Sequence, residues 1–161
     1  MRAWRLIAIL AVVTAVSVIA GDSRTGDQAK QHKTLAALCS ISAAIELYSL
    51  DNGHYPRASS ATTLEREVVP SYAAALPQRD GWGNTFEIDS QPIVYTIASC
   101  GKGATGGCIS ALIGRSGKVG GEFTDPTFDI IISRGEFAAW PKDLLDAHVD
   151  SRGRCRVSDS Y

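Results

Sequence analysis

Apolar residues first gather in one block. Residues 6–20 (LIAILAVVTAVSVIA) carry no charge, and only Thr14 and Ser17 are polar. Residues 21–26 (GDSRTG) follow as a polar stretch and predict a hinge. From residue 27 the pattern becomes periodic. Leu35, Leu38, Ile41, Ile45 and Tyr48 recur at three- and four-residue steps, the stripe of an amphipathic helix. Ala36, Ala37, Ala43 and Ala44 favour that helix, and no Pro or Gly interrupts it. Thr25 with Gln28 three residues on reads as a capping box at its start. Gly53 closes it, where a positive φ costs least. Lys30, His32, Lys33 and Glu46 fall at the more polar positions. A helix over 27–52 is ~38 Å long, enough to project from a domain or serve as its spine.

Past Gly53 the pattern shortens. Residues 62–69 (TTLEREVV) predict a short helix with Thr62 and Glu65 as its capping box, stopped at Pro70. Residues 80–84 (DGWGN) are dense in turn formers around one large aromatic. Strand-like runs come next, at 85–88, 93–98, 109–113 and 128–133, with Gly-rich connections. Trp140-Pro141 reads as a break before a helical turn at 143–148. The resulting plan is α+β, a long N-terminal helix packed on a small antiparallel sheet with loop-rich connections. No connection holds a helix long enough for parallel crossovers. The chain divides into residues 1–20 (signal peptide or membrane anchor), 21–26 (hinge), 27–149 (a single domain) and 150–161 (polar tail).

Composition narrows the function. With 161 residues and a net charge of −1, one domain with a sizeable core is expected, and the basic patch a nucleic-acid partner needs is missing. The basic head Met1-Arg2-Ala3-Trp4-Arg5, the apolar run and the small residues before Gly21 together describe an export signal. At 15 residues the run is shorter than the ~20 that span a bilayer comfortably. It can still anchor the chain with Trp4 and Arg5 at the interface. Everything from Gly21 onward then lies outside the cytoplasm. Four cysteines without a Cys-x-x-Cys fit that compartment. Cys100 and Cys108 flank a Gly-rich loop and are the easiest pair to close, which leaves Cys39 with Cys155. The alternative is four buried thiols.

Two separated motifs carry a family likeness. Residues 46–56 (ELYSLDNGHYP) precede Val69-Pro70-Ser71-Tyr72, Leu76-Pro77 and then Asp80-Gly81-Trp82-Gly83-Asn84. This order resembles the C-terminal domain of the type II secretion major pseudopilin, protein G, which is type IV pilin-like. The resemblance covers roughly residues 35–133. It implies a structural motif built on Asp51, Asn52, Gly53, Tyr55, Pro56, Trp82, Gly83 and Asn84. Asp51-Asn52-Gly53 lets the chain leave the helix through a left-handed residue. Tyr55 and Trp82 are expected to fill the gap between helix and sheet, and Gly83 and Asn84 to supply turn geometry.

The chain also departs from the family pattern. Residues 6–20 contain neither the Gly cleavage point nor the glutamate of the family's leader. Gly81 and Thr85 replace both prolines of the turn motif. The acid expected soon after a Ser-x-Gly is absent, and Lys102 or Lys118 stands there instead. The resemblance implies a calcium loop, for which Glu122, Asp125 and Asp129 are the candidate ligands. A lysine at an early ligand position opposes a second cation, so calcium is expected to bind weakly or not at all.

No catalytic constellation emerges. His32, His54 and His148 lack metal-ligand spacing, and residues 101–107 lack the order of a phosphate loop. The expected function is a structural pseudopilin-like subunit of a periplasmic pseudopilus for protein secretion, not an enzyme. Its expected partners are copies of itself, other pseudopilins and secretion-system proteins, with the inner membrane reached through an uncleaved N-terminus. The alternative is an exported, non-polymerising module of the same fold, soluble or tethered, that binds a partner.

Overall fold

In the computed structural model the backbone is described for residues 2–103, 107–110, 121–123, 130–141, 150 and 154–155, and the side chains of these except 2–24, 121–123 and 141. A single helix, α1 (Arg2–Asn52), leads into a short helix, α2 (Ala61–Val68), and five strands follow: β1 (Glu87–Gln91), β2 (Val94–Ser99), β3 (Gly121–Phe123), β4 (Ile130–Ser133) and β5 (Glu136–Pro141). The sheet order is β1-β2-β4-β5-β3. The first four of these neighbours pair antiparallel. β3 joins β5 in parallel, so the sheet is antiparallel except at that edge.

The helical periodicity translates directly into burial. Leu35, Leu38, Ile41 and Ile45 are fully buried. They pack with Leu64 and Val68 of α2, and with Tyr95, Ile97, Ile130, Ile132 and Phe137 of the sheet. Tyr48 is half-buried against the same cluster. Gly53 ends α1 at φ +72°, and its amide donates to the Ser49 carbonyl at 2.9 Å.

Several boundaries differ from the sequence expectation. Residues 21–26 are helical, where a hinge was expected, and Thr25 and Gln28 lie inside α1 instead of capping it. A Gly inside a helix costs only about 1 kcal/mol. Helix on both sides supplies propagation without a new nucleus. The second capping box is built from Ser60 and Thr63, not Thr62 and Glu65, and Ser60 takes the extended backbone of an N-cap. Residues 108–110 form a helical turn, not the start of a strand at 109. Glu87 accepts the Ile109 amide at 3.0 Å, as a capping carboxylate does. The break expected at Trp140-Pro141 is the end of β5, an ending that proline permits.

Cys39 is bonded to Cys155 across 116 residues, and Cys100 to Cys108 across 8. The first bond ties the tail to α1. The second closes the Gly-rich loop after β2.

Candidate functional site

The DGWGN turn is where the domain grips α1. Asp80 is almost fully buried, at 2% exposure. Its carboxylate accepts four hydrogen bonds: from the Trp82 amide at 2.9 Å, the Asn84 amide at 2.8 Å, Ser99 Oγ at 2.7 Å and Asn84 Nδ2 at 3.3 Å. The two amide bonds are the Asx-turn pattern, in which an aspartate mimics the backbone. The Ser99 and Asn84 side chains extend the turn to the end of β2, because Asn84 Nδ2 also donates to the Gly101 carbonyl at 2.9 Å. Gly83 takes φ +92°.

The turn meets the helix at Gly81. A Cβ there would stand 2.2 Å from the Lys30 carbonyl oxygen. The Gly81 amide donates to Thr34 Oγ1 at 2.9 Å, and Thr34 Oγ1 donates to the Lys30 carbonyl at 2.8 Å. This accounts for the missing proline of the motif. A proline at 81 would remove the N–H that binds Thr34 and place ring atoms against α1.

Trp82 is not the expected core plug. It is half-buried and outside both apolar clusters, and its Nε1 donates to Asp27 Oδ1 at 3.4 Å. The close approach at Gly81 sets the ring beside α1, at the end of the packed stretch. The buried aromatics of the core are Phe86, Tyr95 and Phe137. Lys102 Nζ reaches the other oxygen of Asp27 at 2.7 Å. The Lys102 hydrogen bond, opposed by desolvation, holds the Asp27 carboxyl below its usual range.

Further along α1 a second polar group faces the sheet. Tyr95 OH donates to Glu46 Oε1 at 2.9 Å and lies 2.8 Å from Ser42 Oγ. Tyr55 OH donates to the same Glu46 oxygen at 3.4 Å, and the two rings meet edge to face at 4.9 Å. Burial raises the pKa of both phenols, Tyr95 more strongly. Glu46, expected at a solvent position, is therefore half-buried and holds α1 to β2.

The remaining motif residues act at the helix end. Asn52 Nδ2 donates to the Tyr48 carbonyl at 2.9 Å and to Tyr72 OH at 3.1 Å, joining the helix-end motif to the Val69-Pro70-Ser71-Tyr72 segment. The buried Pro56 accepts Ser90 Oγ at 2.6 Å. Asp51 and His54 are exposed.

Of the candidate calcium ligands, Asp125 and Asp129 lie outside the described residues, and Glu122 is described only as backbone in β3. Among the described residues, Glu87, Cys100 and Cys108 bring three ligand-type atoms within 4.8 Å. The sulfurs are joined to each other and the carboxylate accepts the Gly107 and Ile109 amides, so this group does not suit a cation. Asp80 and Glu46 stand within the two sequence motifs, but their roles, and those of Thr34 and Tyr95, appear only in the fold.

These contacts define a scaffold, a domain built to hold one long helix by its side. The sequence profile described as "Type II secretion system (T2SS), protein G" matches residues 23–116. The chain belongs to the type II secretion system protein G family and has a pseudopilin-like role in type II secretion. The family is structural, not enzymatic, and its members are held at the periplasmic side of the membrane by an apolar N-terminal helix. No curated protein and no solved structure matches the chain.

Proposed function

We propose that this chain is a structural subunit of a periplasmic pseudopilus. Residues 6–20 anchor it in the inner membrane, and α1 packs side by side with the helices of neighbouring subunits. The observation that carries this reading is the continuity of α1, which runs from the apolar stretch into the domain without a break. Over 51 residues it is ~77 Å long. The helix face turned away from the sheet fits the same role. Ala36, Ser40, Ala43, Leu47 and Leu50 are exposed at alternating four- and three-residue steps, and Leu47 and Leu50 keep 48% and 80% of their surface. That spacing is the seam of a helix–helix contact.

Expressing the full chain, fractionating membranes and imaging sheared material for filaments tests the assembly. Leu47→Glu with Leu50→Glu is expected to abolish filaments and leave the domain folded. Release of a soluble monomer whose N-terminus starts at residue 21 would favour the non-polymerising module. Calcium is expected to bind weakly or not at all, because Lys102 or Lys118 stands where the family pattern has an early ligand. Melting in calcium and then in a chelator checks this, with coincident curves expected. A large upward shift at micromolar calcium would mean that acids outside the described residues complete a strong site.

A further inference from the structure

β1 is an edge strand, and such an edge presents backbone donors and acceptors to whatever lies beside it. Part of this edge is already used. Ser90 and Ala58 exchange two backbone hydrogen bonds, at 2.8 and 3.1 Å, and the Tyr55 amide donates to the Pro92 carbonyl at 3.0 Å. Ser60 then caps α2 and turns the chain away. Outward-facing positions alternate along a strand, so the next one after Ser90 is Ile88. Among the described residues, no hydrogen bond reaches the outward backbone groups of Ile88.

Among the described residues the edge is open between the Ala58–Ser90 and Arg79–Thr85 bridges. The open part covers residues 86–89, ~13 Å at 3.3 Å per residue. A cleft of about 520 Å³ lies along it, walled by Ser60 and Thr62 on the α2 side, by Glu87, Ile88 and Asp89 on the strand, and by Ile109. Its described walls carry two carboxylates, Glu87 and Asp89, and no cation. Glu87 caps the Gly107 and Ile109 amides, whereas Asp89 is exposed and, among the described residues, accepts from Gln91 Nε2 at 3.3 Å.

We propose that this slot takes an extended basic peptide segment of a partner, added to β1 as an outer strand in line with residues 55–58. Its backbone pairs with the free groups of Ile88 and supplies the binding. A lysine or arginine side chain of the segment meets the exposed carboxylate of Asp89, on the face of the strand that it shares with Glu87 because side chains alternate. An acidic segment meets like charge there and is turned away.

The test uses the full-length chain in detergent micelles, observed by amide NMR. The probes are an acetylated, amidated tetrapeptide alternating Val and Lys, the same peptide with Glu for Lys, and the Lys peptide N-methylated on alternate amides. The Lys peptide is expected to protect the Ile88 amide from exchange by at least tenfold and to bind at least tenfold tighter than the Glu peptide. N-methylation is expected to abolish the protection. Asp89→Lys, at an exposed position, is expected to invert the preference between the Lys and Glu peptides. Equal binding of the two peptides, protection at Gly121–Phe123 in place of Ile88, or a preference unchanged in Asp89→Lys would each overturn the proposal.

Discussion

Along α1 the stretch from Leu35 to Ile45 and the stretch around Lys30 and Thr34 are held in opposite ways. The first is gripped by apolar area: four fully buried aliphatic side chains lie against α2 and the sheet. Such contact is non-directional and roughly proportional to area, and it tolerates a swap of similar volume. The second is gripped by a turn whose backbone touches the helix backbone. Gly81 meets the Lys30 carbonyl, Thr34 bridges the two, and the buried Asp80 holds the turn in shape. Directional contact of this kind has few substitutes. The apolar grip supplies most of the binding of helix to domain, and the polar grip sets where along the helix the domain sits.

The largest effect is expected at Asp80. Asp80→Ala leaves two part-buried backbone amides and the buried Ser99 hydroxyl without their acceptor, and should cost about 4 kcal/mol in urea unfolding. Ile45→Ala removes core volume and should cost about 3 kcal/mol by the same measurement. The two substitutions should differ in kind. Ile45→Val is expected to recover most of the loss, whereas Asp80→Asn should recover little, because one carboxylate oxygen becomes a donor. If Asp80→Asn is as stable as the natural protein, the polar grip is not directional and the comparison fails.

Gly81→Ala sharpens the comparison. The new methyl must push the turn off Lys30, at an expected cost of about 2 kcal/mol. In a double-mutant cycle with Thr34→Ala the costs should be strongly non-additive, since both act on one contact. Trp82→Ala should cost about 1 kcal/mol, the measure of a half-buried ring with one long hydrogen bond. A loss of 3 kcal/mol or more would return Trp82 to the core.

The effects of pH separate the two grips. Asp27 has a lowered pKa in the fold, so its contribution is present above the ordinary carboxylate value near 3.9 and is lost as pH falls through the folded value. Tyr95 has a raised pKa in the fold. Its contribution is present below the ordinary tyrosine value near 10 and is lost as pH rises past it, because the unfolded phenol ionises first. Urea midpoints measured against pH should fall on both sides, more steeply on the alkaline side, where the group is buried. Tyr95→Phe should flatten the alkaline limb. A limb unchanged by that substitution would show that another group drives it.

The apolar grip is legible in the chain alone. Periodicity in Leu35, Leu38, Ile41 and Ile45 is a local property, and burial follows once any partner covers that face. The helix end at Gly53 and the family likeness in the two motifs are legible there too, since both rest on contiguous residues. Tertiary structure alone decided the polar grip. Nothing local tells that Gly81 abuts Lys30, 51 positions earlier, that Glu46 turns inward to meet two phenols, or that Trp82 lies beside α1 and not beneath it. It also decided the continuity of α1 through residues 21–26, where weak helix propensity is outweighed by helix on either side. Each of these is settled by contacts between distant positions, whose energies a window of the chain does not contain.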